Sequence, residues 1–226
     1  MSAAAPAPAG VAAAATPRRL RGDDGAVLVE FALAAPFLLL MVFGLIDYGQ
    51  AANEKNVLIR GTQAAARTGA GQGTDRFADY NVLQSIEASL ATEKGLEIER
   101  VIVYHSSTPG GDVPDACLNY PVSDDLTAKG VTALGGECNI YTKAQIEYAG
   151  DVLSKFPGGN CTGGWDAHWC PSNRSRGSDT SDPDFLGVYV RTNVTPITGL
   201  FVPLPDTMST ESVFRLDPCI TGVSCG

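Results

Sequence analysis

Residues Ala26 to Ile46 form an apolar run of 21 residues interrupted by one charge, Glu30, and no other feature of the 226-residue chain restricts its fold as strongly. As α-helix the run is about 31 Å long, which matches the hydrocarbon thickness of a bilayer. A secretory signal peptide is the rival reading, since Gly49-Gln50-Ala51 loosely resembles a small-x-small cleavage site. Its apolar core is only about 7–15 residues, however, and a glutamate near the start weakens ordinary insertion. The run therefore predicts a single transmembrane helix. Arg18, Arg19 and Arg21 precede it, whereas Asp47, Glu54 and Lys55 follow with no net positive charge. The positive-inside rule then places the N-terminus in the cytoplasm and everything beyond about residue 47 outside.

The flanks extend this picture. Residues 1–17 are an uncharged Ala/Pro segment with nothing large to bury, so residues 1–25 are expected to be a disordered cytoplasmic leader. Residues 26–47 are the expected transmembrane helix. Beyond it, Tyr48, Ala52, Leu58 or Ile59, Thr62 and Ala65 or Ala66 recur at intervals of three, four or seven, which predicts an amphipathic helix over 48–70 continuing outward. Ala26 to Thr68 would be one helix about 65 Å long, stopped by Gly69, Gly71 and Gly73 and standing out from the membrane.

Residues 71–226 are left for an extracytoplasmic head. The six cysteines, Cys117, Cys138, Cys161, Cys170, Cys219 and Cys225, all fall in the C-terminal half among Gly, Asn and Pro. An even number in loop-like surroundings reads as a disulfide framework formed in an oxidising compartment. Nearest-neighbour pairing, 117 with 138, 161 with 170 and 219 with 225, needs the least chain rearrangement. A metal site is disfavoured, because no Cys-x-x-Cys occurs and only His105 and His168 offer imidazole. The net charge of −9, with no Lys/Arg block after residue 21, argues against a nucleic-acid partner.

Local patterns predict an α+β head with an antiparallel sheet of three or four strands against one or two helices. Residues 74–95 read as a helix with Thr74 as N-cap, Gly95 as stop and Phe77, Tyr80, Leu83, Ile86 or Glu87, and Leu90 on one side. Residues 96–106 read as a strand with Ile98, Ile102 and Tyr104 on one face, and 141–156 as a helix. Residues 185–194 and 208–218 read as two more strands, separated by Pro196, Pro203 and Pro205.

The lone carboxylate carries the functional argument. An ionised group in hydrocarbon costs at least about 2.5 kcal/mol and demands a partner or a role. Snorkelling to the nearby headgroups is the plainer explanation. Yet Gly25 stands immediately before the run, and Glu30 is the fifth residue after it, followed by Phe31. Basic leader, glycine junction, apolar helix and glutamate at the fifth mature position resemble the type IV prepilin processing signal. "GAVLVEFALAAPFLLLMVFGLIDYG" is similar, more closely, to the N-terminal segment of TadE-like proteins, minor pilins or pseudopilins of the tight-adherence (Flp, type IVb) pilus system. The matching features are the Gly25 junction, Val29-Glu30-Phe31, Pro36 within the apolar helix and the polar exit at Asp47, within a recognisable stretch of residues 22 to 68. Asp23 and Asp24 depart from the pattern, standing where basic residues are more usual.

The resemblance implies processing between Gly25 and Ala26 by a separate prepilin peptidase. It also implies packing against other pilin and pseudopilin subunits, contact with an inner-membrane assembly platform, and no cofactor. A new α-amine at Ala26 would pair with the Glu30 carboxylate of a neighbouring subunit and so select register. The alternative is an unprocessed single-pass protein whose head binds a ligand or partner.

Other motifs carry less. "RGD" at 21–23 would be cytoplasmic, and "SDTSDPD", with Asp179, Asp182 and Asp184, lacks the glycine and distal glutamate of a calcium loop. Trp165, His168 and Trp169 beside Cys170 are read as core cover next to a disulfide rather than as an adhesive patch. No nucleophile elbow, phosphate loop or metalloprotease helix is present, so the chain is not expected to be an enzyme.

Overall fold

The computed structural model describes residues 23–121, 136–159, 161, 163–177, 182–197 and 205–217. Residues 1–22, Cys219, Cys225, Asp179 and Pro203 therefore lie outside the described residues. The chain divides into two compact units, one ending at Val42 and the other running from Phe43. Elements occur in the order α1 (Asp23–Gln72), α2 (Ala78–Leu90), β1 (Leu96–Ser106), α3 (Asp115–Leu118), β2 (Cys138–Thr142), α4 (Lys143–Ala149), β3 (Phe185–Val194) and β4 (Thr207–Arg215). An α+β fold with a long apolar N-terminal helix and a four-stranded antiparallel sheet is what the sequence predicts.

In the first unit, α1 leaves Val27, Leu28, Phe31, Leu33, Phe37 and Met41 each more than half exposed. Among the described residues this is the one helix long and apolar enough to cross a membrane. Uncovered apolar side chains on this scale need hydrocarbon or partner helices around them.

In the second unit the strands are ordered β2-β1-β3-β4, all pairs antiparallel. One face of the sheet carries the main core: Leu58, Ala65 and Ala66 of α1 and Val82, Leu83 and Ile86 of α2 meet Val101, Val103, Leu186, Val188 and Val190. The other face is smaller and is covered by residues around α3, with Ile102, Tyr104, Val113, Cys117 and Cys138 as its buried centre.

Several expectations are corrected. Helix α1 does not stop at Gly69. A Cβ there would stand 2.7 Å from Val82 Cγ2 and 3.0 Å from Leu186 Cδ2, so this glycine lets three elements approach closely. Gly73, at φ 55°, ends the helix instead, with its N–H donating to the Gly69 carbonyl at 2.9 Å. The buried stripe of α1 runs through Asp47, Ala51, Glu54, Leu58, Thr62 and Ala65, while Tyr48 is 70% exposed. Apolar periodicity predicts the second half of the stripe, Leu58, Thr62 and Ala65, but misses the first, where two of the three members are acids.

Thr74 does not cap α2, which begins at Ala78; the Asp75 carboxylate accepts from the Phe77 N–H at 2.7 Å one turn earlier. Helix α2 ends at Leu90, and Gly95 is instead required where the chain passes Glu54, whose carboxylate a Cβ would strike. Residues 141 and 142 belong to β2, and the helix expected over 141–156 shrinks to Lys143–Ala149. Its start is fixed by a capping box between Thr142 and Gln145.

Strand β1 has the predicted bounds but a different face. Its pairing with β3 shifts between Ile98 and Arg100, so Glu99 is an extra residue that reverses the alternation. Ile98 therefore packs with Val101 and Val103, on the face opposite Ile102 and Tyr104.

Across the sheet Tyr104 stands opposite Gly187, and a Cβ on Gly187 would lie within 2.5 Å of its ring carbons. The Tyr104 hydroxyl donates to the Gly111 carbonyl at 3.0 Å, which fixes the ring over the glycine. Gly187→Val is expected to displace that ring and to cost roughly 2–3 kcal/mol, read as a lowered urea midpoint, whereas Tyr104→Phe should cost only about 1 kcal/mol.

Candidate functional site

Two places in the chain concentrate chemistry, and they are described separately. The first is the start of α1. Gly25, Ala26, Glu30 and Phe31 all lie on this helix and are all exposed, and a Cβ at Gly25 would meet nothing within 4 Å. Ala26 and Glu30 are one turn apart, about 6 Å along the axis, on one face. The Gly25–Ala26 bond is part of the helix, which is described from Asp23 onward.

The second is a buried polar network in the head. Asp79 of α2 and Arg174, both fully buried, pair at 2.6 Å through Oδ1 and a guanidinium N–H. The other oxygen, Oδ2, accepts from Asn139 Nδ2 and from the Tyr141 hydroxyl, each at 2.7 Å. Burial, followed by the neighbouring Asp79 carboxylate, pushes the Tyr141 hydroxyl well above its ordinary range, so it stays a donor. Trp169 closes the network: its N–H donates to Asn139 Oδ1 at 2.9 Å and its carbonyl accepts from Asn139 and Arg174. The guanidinium also lies 4.0 Å from the Trp169 ring centroid. Helix α2, strand β2 and the 165–174 segment are joined by these bonds. This is structural chemistry: both oxygens of Asp79 are taken up by protein donors, while Nε and Nη1 of the buried Arg174 have no hydrogen-bond partner.

The disulfides sit beside it. Cys117 is bonded to Cys138, tying α3 to β2, and Cys161 is bonded to Cys170, next to Trp169. Both tryptophans are buried, at 4% and 7% exposure, and contribute to the main core.

Asp166 lies in the same 165–174 segment. It is fully buried, its Oδ2 accepts from the Gly159 N–H at 2.7 Å, and its Oδ1 has no hydrogen-bond partner. Burial first, and the Asp79 carboxylate second, raise it from 3.8 to about 6, against the lowering effect of Gly159 and Arg174. Because the folded state holds the proton more tightly than the unfolded chain, this stabilising contribution is complete below about pH 4. It is lost as pH rises through about 6. Relative to Asp166→Asn, the wild type is expected to lose on the order of 2–3 kcal/mol between pH 4 and pH 7, measured as the difference between the two urea-unfolding profiles.

Sequence reasoning did not find the Asp79–Arg174 pair. The partners are 95 residues apart in the chain, and neither belongs to a motif.

Comparison with known proteins bears on the first place. A family model described as TadE-like protein matches residues 25–67, beginning at Gly25 and covering the apolar run and much of the stripe-bearing half of α1. The resemblance read from the sequence is thus shown over that segment, and the chain carries a TadE-like N-terminal region. No curated protein and no solved structure matches it.

Proposed function

We propose that this chain is a minor pilin or pseudopilin of a tight-adherence type IVb pilus, a structural subunit rather than an enzyme. In this reading α1 holds it in the cytoplasmic membrane with the N-terminus inside and the head outside. A separate prepilin peptidase cleaves after Gly25, and the mature chain packs against other pilin and pseudopilin subunits on the inner-membrane assembly platform. The observation that carries the reading is the TadE-like match, which starts at Gly25, on a helix whose apolar side chains are uncovered from Val27 onward. The arginines at 18, 19 and 21 support the orientation, and two disulfides in the head suit an oxidising compartment.

The alternative is an unprocessed single-pass protein with a partner-binding head. It is favoured by Asp23 and Asp24, which depart from the basic flank of the processing signal.

N-terminal sequencing of the membrane-extracted protein separates the two. The pilin reading expects a start at Ala26. A start at Met1 or Ser2 would establish the permanent anchor, and one near Ala52 would establish a released domain.

A further inference from the structure

The head has an apolar groove with an acidic rim that none of the roles above uses. It lies between the C-terminal half of α2, the start of β1 and α4. Leu90, Leu96, Ile98 and Ile146 form its apolar walls, and the cavity is about 340 Å³, at the small end of ligand-sized clefts. That volume admits one or two long side chains.

The rim supplies charge of one sign. Glu87, Glu97 and Glu147 line it against a single cation, Lys143. Lys143 is already engaged: it pairs with Glu97 and, at 3.7 Å, with Glu147 one turn along α4. Glu87 accepts from Gln84 Nε2 at 3.0 Å and, among the described residues, forms no ion pair. Burial first, then Asp151 and Glu147, against the hydrogen bond from Gln84, raises its carboxyl above the ordinary range.

We infer that this groove docks a partner protein segment in which an aliphatic side chain stands next to lysine or arginine. The aliphatic group, or the stem of the basic residue itself, would replace water along Leu96, Ile98 and Ile146. The cation would then remain at the rim between Glu87 and Glu147. Neither half suffices: an uncharged apolar segment leaves Glu87 uncompensated, and a purely basic one leaves the walls wet. The groove belongs to the head alone, so this inference does not depend on processing at Gly25.

The test uses the full chain in zwitterionic phosphatidylcholine nanodiscs and a dye-labelled, capped peptide of alternating lysine and leucine, with binding followed by fluorescence anisotropy. Saturable binding is expected, weakened at least tenfold by Glu87→Gln/Glu147→Gln and, separately, by Ile98→Ser. Removing two exposed carboxylates outside the groove, Asp115→Asn/Asp206→Asn, should change affinity less than twofold. The inference is overturned if no saturable binding occurs, if a peptide with serine in place of leucine binds as tightly, or if the Asp115/Asp206 variant weakens binding as much as the groove variant. Glu147 is exposed and Glu87 half-buried, so the glutamine changes leave the core intact.

Discussion

Arg174→Met is expected to destabilise the head by about 3–5 kcal/mol, because it leaves the Asp79 carboxylate buried without its counter-charge. For a domain of this size that is a fall of roughly 6–20 °C in the melting midpoint. The magnitude follows from how completely the pair is removed from water: both side chains are 0% exposed. Two neutral donors, Asn139 and Tyr141, would remain on Oδ2, but they cannot neutralise the charge, and Asp166 adds a second carboxyl nearby. The double variant Asp79→Asn/Arg174→Met should recover at least half the loss, since a neutral pair needs no counter-ion. Thermal melts of the wild type and both variants decide it. If the single variant lost less than about 1 kcal/mol, the network would be an ornament of the fold rather than its clamp.

The same network shows which parts of the fold were readable beforehand and why others were not. Strands β1 and β3 were legible to the residue because they are long, β-branched and bounded by turn residues, so local propensity and tertiary pairing agree. The bulge at Glu99 was not legible. Nothing in "LEIERV" distinguishes an extra residue from an ordinary one, and only the shifted pairing with β3 reveals it. Strand β2 is five residues long and runs straight into α4, so its helix-like continuation masked it. Its boundary was nevertheless written in Thr142 and Gln145, a capping box that was available and not read. The buried acids Asp47 and Glu54 hid the first turns of the α1 stripe from apolar periodicity, which does reach Leu58, Thr62 and Ala65, because burial there is decided by what packs against it. The TadE-like segment was legible because Gly25, Glu30 and the apolar run are a local pattern that needs no long-range contact, and the family match over residues 25–67 bears out that resemblance.

Glu30→Gln should leave membrane insertion intact and abolish most of the chain's contribution to assembly. A neutral amide near the start of the span is easier to place in hydrocarbon than a carboxylate, by up to about 2.5 kcal/mol, so a loss of function cannot be ascribed to failed insertion. What the amide lacks is the charge that holds a processed α-amine. In the proposed filament that amine belongs to a neighbour, and the pair fixes how far one apolar helix slides along the next; without it the uncovered side chains of residues 27–41 still attract one another, but at many registers. Ala26 and Glu30 are also one turn apart on the same helix, so an amine could instead be held within its own chain. That arrangement would carry no register. The expected result for Glu30→Gln is therefore a processed chain starting at Ala26, present in membranes at normal level, with surface attachment and assembled pili reduced at least about tenfold, the equivalent of roughly 1.4 kcal/mol in an association step. Normal attachment would assign the carboxylate to its own chain's amine or to the headgroups, and register would then have to come from the apolar side chains alone.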